Sequence, residues 1–462
     1  MRRFAAVAAI ALVAVPAAGA KLPLHSCYRG GASGLCGRLV VPENRAKPGG
    51  RTIGLQVMVL KALGTPRRAD PIFHLVGGPG GAATESASIW PTAFADLHWN
   101  RDVVLVDQRG TGGSNPLSCP EPGNLATRAQ VARFVHSCFV GLKGDPLQYG
   151  TAAAADDLEA VRKALGYGKI DLYGASYGAT VAQVFLNRHP DSVRAVVLDG
   201  GSLIDLPMLE QFGSNGERAL DLVAKRCAAD RRCARAFPTW RADLPKLTAR
   251  LDAKPAKVHV AGEKVTLTGV AVAGLLQSMT MSADGAAGIP FAVAQAVRGK
   301  YAPLARVSVS AGASAPPKTL LEPYSVFCSE PWARRSVARV RADAAGTYLA
   351  RTAVTWAQEQ ATLCELFPKR VERPQDWVRP HGTTPLLAVL GEADPQDPFV
   401  NIAGIRTTMP NSRIVVVPGQ GHTVGHIGCM PALIARFLDR GSPAGLDVSC
   451  ARRVTTPAFR LG

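Results

Sequence analysis

Between residues 169 and 187 the chain passes from a strand-like to a helix-like pattern through Gly174-Ala175-Ser176-Tyr177-Gly178, and few folds accommodate such a turn. Lys169 to Tyr173 reads as a buried strand, and Tyr177 to Asn187 has the apolar spacing of a helix. Strand and helix approach so closely at this kind of turn that glycine is required two residues to either side of the serine. The serine is left on a strained backbone with its hydroxyl pointing out of the sheet. A GxSxG pentapeptide alone is common by chance. Flanked by strand and helix, it makes Ser176 a candidate nucleophile.

The surrounding pattern predicts a mostly parallel central sheet with helices on both faces, an α/β fold. Thr52 to Leu60, Pro71 to Val76, Asp102 to Asp107 and Val193 to Leu198 read as strands, and Thr151 to Leu165 as a capped helix with Thr151 at its start. From Ser202 the rhythm is lost. Helical patterns such as Leu206 to Ala229 and Arg334 to Ala350 take over, with one strand-like patch at Lys257 to Leu267. Strand and helix signals return at Pro385 to Leu390, Phe399 to Met409, Ser412 to Val417 and Cys429 to Leu438. The expected division is a first part of the core at 21–201, a mainly helical lid at 202–375, and the rest of the core at 376–462.

A serine nucleophile needs a base and an orienting acid, which follow it in the order acid, then histidine, in this type of sheet. His422, in Gly419-Gln420-Gly421-His422 after a predicted strand, is the candidate base, with His426 its near rival. Asp394, just after the strand Pro385 to Leu390, is the candidate acid. Asp397 and Asp199 are its rivals, Asp397 with the alternative of capping a following helix. For an oxyanion, the amide of Tyr177 and that of Gly78, in Gly77-Gly78-Pro79-Gly80-Gly81, are the candidate donors.

Residues 1–20 carry Arg2 and Arg3, an apolar run from Phe4 to Val15, and Ala18-Gly19-Ala20, the marks of a signal peptide. That run is shorter than the roughly 20 residues a bilayer span needs, so a periplasmic or secreted protein without stable membrane insertion is expected. The ten cysteines suit an oxidising compartment, and pairing in sequence order is the simplest connectivity. A net charge of +18 invites a nucleic-acid partner, but no lysine/arginine block or nucleic-acid motif supports one. No cysteine or histidine spacing suggests zinc, and no cofactor is expected.

Taken together, GGPGG, Asp107 to Ser114 (DQRGTGGS), the GASYGA turn, GEAD and the late Gly421-His422 resemble the proline iminopeptidase and secreted tripeptidyl aminopeptidase (TAP-like) group of α/β-hydrolases. Tyr149-Gly150-Thr151 with Asp156 to Arg162 is especially similar to the tripeptidyl branch. Val76 stands where the family's glycine-rich motif usually has His or Asn. The resemblance implies a serine aminopeptidase acting on peptides with a free N-terminus through an acyl-enzyme on Ser176; a monomer is expected. It also implies a buried lid acid that pairs with the substrate ammonium, for which Glu330, in Phe327-Cys328-Ser329-Glu330, is the candidate. Asp107 and Arg109 are expected to brace the glycine-rich turn. A carboxylic-ester hydrolase with the same three residues is the alternative, and an inactive binding homologue a more distant one.

Overall fold

The structure, a computed structural model, describes residues 21–119, 127–140, 142–207, 209–313, 319–330 and 334–462. The signal-peptide reading of residues 1–20 lies outside them.

Five strands open the chain: β1 (His25–Arg29), β2 (Ala32–Pro42), β3 (Thr52–Leu60), β4 (Ile72–Leu75) and β5 (Val103–Val106). A short β6 (Ser118–Cys119) precedes β7 (Ile170–Ala175) and β8 (Val193–Asp199). In the lid come β9 (Ala256–Val260), β10 (Glu263–Leu267) and β11 (Thr319–Leu320), followed by β12 (Leu386–Gly391) and β13 (Ser412–Val417). Nine of these form one sheet in the order β1-β2-β3-β5-β4-β7-β8-β12-β13. The first three pair antiparallel, β3 also runs antiparallel to β5, and every pair from β5 to β13 is parallel. The α/β-hydrolase architecture expected from the sequence is therefore present, extended by an N-terminal hairpin that the sequence pattern did not announce.

Alternation along β7 shows how the sheet is covered. Leu172 faces a core with Val184 and Phe185 from the helix Tyr177–Arg188 and Leu158 from the helix Thr151–Leu165. Its neighbour Tyr173 faces the opposite core, with Trp90 and with Phe437 of the helix Met430–Arg440. Side chains two residues apart share a face, so one apolar strand feeds both layers.

The lid has a hydrophobic core of its own, built around Leu220, Leu244, Leu276, Ile289 and Leu304. Its helices depart from the sequence expectation in detail. The first begins at Phe212, because Pro207 and the positive φ of Leu209 interrupt the segment before it. Lys257 to Leu267 is a hairpin, since Ala261 and Gly262, both at positive φ, turn the chain between β9 and β10. Arg334 to Ala350 holds only the short helix Val337–Ala344, with the next helix at Ala350–Leu366. Phe399 to Met409 forms two 3-10 turns, at Phe399–Asn401 and Ala403–Thr407, where Gly404 and paired threonines favour a longer helix little.

Thr151 is the first helical residue, with Gly150 in the capping position. The five disulfides are Cys27–Cys36, Cys119–Cys138, Cys227–Cys233, Cys328–Cys364 and Cys429–Cys450, the pairing in sequence order. Among the described residues, no helix is long and apolar enough to cross a membrane.

Candidate active site

Ser176 sits between β7 and the helix Tyr177–Arg188 at φ 56° and ψ −126°, a conformation that L-residues other than glycine rarely adopt. Packing around it enforces that conformation. A Cβ on Gly178 would stand 1.9 Å from the Leu75 carbonyl oxygen, and one on Gly174 would stand 2.4 Å from that of Gly178. The Ser176 amide donates to the Asp199 carbonyl at 2.9 Å, fixing the turn to the end of β8. The glycine-rich turn after β4 lies directly beside the serine, since a Cβ on Gly77 would stand 2.7 Å from the Ser176 Cβ. Tyr177 opens its helix, so its amide is among those with no acceptor inside the helix.

Asp394 and His422 arrive from two successive loops. His422 Nδ1 lies 2.8 Å from Asp394 Oδ2, while Asp394 Oδ1 accepts from the amides of Gln396 at 2.8 Å and Asp397 at 2.9 Å. The imidazole is only 8% exposed, and its Nε2 is buried with no hydrogen-bond partner. It packs on Gly200, the residue after the Asp199 carbonyl that holds Ser176, so serine and histidine flank the same strand end. Burial alone would push the imidazole pKa down; Asp394, Asp397 and Asp199 more than offset it and hold it at about 9. Burial likewise works against the Asp394 carboxylate, but His422 and the two amides keep its pKa below the ordinary value.

The rivals are placed elsewhere or used otherwise. His426 is exposed. The Asp199 carboxylate accepts from the amides of Val424 at 2.6 Å and Gly425 at 2.9 Å and from the Tyr173 hydroxyl at 2.6 Å. It clamps the loop that carries His422. Asp397 is buried beside the histidine, its Oδ2 3.9 Å from Nδ1, rather than capping a helix.

Around the glycine-rich turn, Asp107 accepts from the amides of Thr84 and Gly113, both at 2.9 Å. Arg109 makes a bidentate pair with Asp157 at 2.6 and 2.7 Å and donates to the Glu43 and Gln148 carbonyls. These contacts tie the loop after β5 to the helix Thr151–Leu165.

Glu330 is buried. It accepts from the Thr151 amide at 2.7 Å, the Thr151 hydroxyl at 2.6 Å and Arg370 at 3.0 Å. Burial raises its pKa to about 7 against the pull of Arg370. A second lid carboxylate, Glu322, opens the helix Glu322–Ser329 and is also buried, and its Oε2 has no partner. That oxygen is 4.0 Å from where a Cβ on Gly80 would stand, and burial, reinforced by Glu330, pushes the Glu322 pKa well above the ordinary value.

The lid also grips both loops of the site. Arg218 donates to the carbonyls of Glu392 and Asp394, and the His422 amide donates to the Met281 carbonyl at 2.7 Å. Sequence reasoning missed Glu322, Arg218 and Met281, since none lies in a motif. The signal available for Glu322 was an acid beside Pro323 in an otherwise apolar helix start. Among the described residues, no group of three or more His, Cys, Asp or Glu is arranged to hold a metal ion.

Residues 70–231 match the α/β-hydrolase fold family, and residues 350–450 match the TAP-like protein family. The chain is 26% identical to a tripeptidyl aminopeptidase of Streptomyces coelicolor, over 91% of this chain and 83% of that protein. It is 33% identical to the serine protease Hip1 of Mycobacterium tuberculosis, over 36% of this chain and 35% of that protein. A proline iminopeptidase of Neisseria gonorrhoeae is 30% identical over 28% of this chain and 32% of its own. With the strand-to-helix serine turn and the sheet that carries it, these similarities make the chain a serine hydrolase of the peptidase type on the α/β-hydrolase fold, with a C-terminal region similar to the TAP-like proteins.

Proposed function

We propose that this protein is an exported aminopeptidase that releases N-terminal residues or short peptides from peptides with a free N-terminus. Ser176 attacks the scissile carbonyl while His422 Nε2 takes its proton. Asp394 holds Nδ1–H and stabilises the imidazolium, and the amides of Tyr177 and Gly78 receive the oxyanion. His422 then gives its proton to the leaving amine, and water, activated by the same imidazole, releases the acyl group. The signal-like residues 1–20 and the five disulfides support export.

The observation that carries the preference for a free amine is the buried Glu322 beside the glycine-rich turn, within the field of a second buried acid, Glu330. An isolated buried carboxylate is costly when charged, and a substrate ammonium offsets that cost by pairing with it. Glu330, the acid singled out from sequence, has its oxygens engaged by Thr151 and Arg370 and supports the site with charge. Glu322, with an oxygen still open, makes the direct contact.

The test is a rate comparison on the mature protein. Free and N-acetylated Pro-, Ala- and tripeptidyl p-nitroanilides are set beside short-chain p-nitrophenyl esters. Cleavage of the free anilides with the acetylated ones inert is the expected result. Ester turnover with silent anilides would make the protein an ester hydrolase instead.

A further inference from the structure

Asp397 has no part in the mechanism just described, yet it is buried against the base. Its Oδ2 lies 3.9 Å from His422 Nδ1, the same nitrogen that meets Asp394 at 2.8 Å. At 3.9 Å the contact is Coulombic and not a hydrogen bond. Two further contacts fix this carboxylate, one of them backed by a third residue. Its Oδ1 accepts from the Ser202 hydroxyl at 2.5 Å, Asn401 donates to that hydroxyl at 3.0 Å, and Gln396 donates to Oδ2 at 3.3 Å. The Asp397 amide meanwhile donates to Asp394 Oδ1. A helix cap would leave this carboxylate at the surface, with backbone amides of its own helix as partners. Here it is locked into the interior and faces the imidazole.

We propose that Asp397 is a second acid of the base, a positioning residue that raises the proton affinity of His422 alongside Asp394 and takes its place when Asp394 is lost. This rests on His422 being the base, but not on the peptide preference.

The electrostatic logic is direct. When Nε2 takes the Ser176 proton, the imidazolium stands between two carboxylates instead of one, which favours the charged form over the neutral one. The groups facing the pair from the surrounding elements are few. Asp199 at the end of β8 adds to the negative field, Tyr173 from β7 is bonded to Asp199, and His426 acts on Asp199. Arg218 from the lid acts on Asp394 and is bound to the backbone carbonyls of that loop. Burial raises the Asp397 pKa to about 6, with His422 and the Ser202 hydroxyl pulling it down and Asp394 pushing it up.

The experiment follows the rate at which a fluorophosphonate labels Ser176 between pH 5 and 10, a readout that needs the base but no peptide subsite. The proteins are the wild type, D397N, D394N and the D394N/D397N double variant, each checked for its thermal transition. In D397N the pH midpoint should fall by about one unit, the effect of removing one nearby charge, and D397E should restore it. D394N should keep roughly a hundredth of the wild-type rate and the double variant about 10⁻⁴ of it, the loss that follows when no acid orients the base. If D397N does not fold, S202A, which removes the hydroxyl holding Asp397 charged, should move the midpoint the same way. An unmoved midpoint in D397N or S202A, with D394N as slow as the double variant, overturns the proposal. A wild-type protein that the probe does not label at all overturns the serine-hydrolase mechanism, and this inference with it. Labelling without anilide cleavage removes only the aminopeptidase assignment.

Discussion

Asp394, Asp199 and Glu330 are each held by backbone amides, whereas Glu322 keeps an oxygen open, and such differences are where legibility from sequence runs out. Glu322 carries a direct prediction. Replacing it with glutamine keeps the shape and removes the charge, so kcat/KM on a free tripeptidyl anilide should fall about thirtyfold, the equivalent of about 2 kcal/mol for a charge-assisted contact. Turnover of p-nitrophenyl esters by the same variant should not change. Wild-type rates on free peptides would remove Glu322 from amine recognition.

Ser176 was legible because its neighbours in sequence create its geometry. Choosing among Asp199, Asp394 and Asp397 was harder, since all three follow strand ends. What separates them is which amides and hydroxyls each one meets. Val424 and Gly425 occupy Asp199, whereas Asp394 is left facing the imidazole. Those partners lie up to 226 residues away along the chain, beyond the reach of any local motif.

The elements follow the sequence closely where burial on both faces gives continuous apolar strands, as in β4, β5, β7, β8 and β12, and loosely where the lid helices are amphipathic and short. The hairpin at β9 and β10 was hidden because its two strands have similar composition and the turn residues Ala261-Gly262 are brief. The serine turn is the element whose close packing can be tested directly. A methyl on Gly178 has no room beside the Leu75 carbonyl, and β4 is paired on both sides, with β5 and β7, and cannot withdraw. Gly178→Ala should destabilise the fold by about 3 kcal/mol through overpacking, read as a lowered denaturation midpoint. A midpoint like the wild type would mean that strand and helix are less tightly joined than the 1.9 Å approach at Gly178 requires.

On the scale of the whole molecule, the lid and the sheet are one working unit. Arg218 and the Met281 carbonyl from the lid hold the loops that carry Asp394 and His422, and Glu322 from the lid approaches the glycine-rich turn of the core. Two regions far apart in sequence, about 70–231 and 350–450, match the α/β-hydrolase and TAP-like families, and the segment between them brings Met281 and Glu322 to the candidate site. The central claim is that this assembly activates one serine. The most direct measurement is mass mapping of the purified protein after treatment with a fluorophosphonate. A single adduct on Ser176, absent in His422→Ala, is the predicted result. An unmodified Ser176, or an adduct that persists without His422, would contradict it.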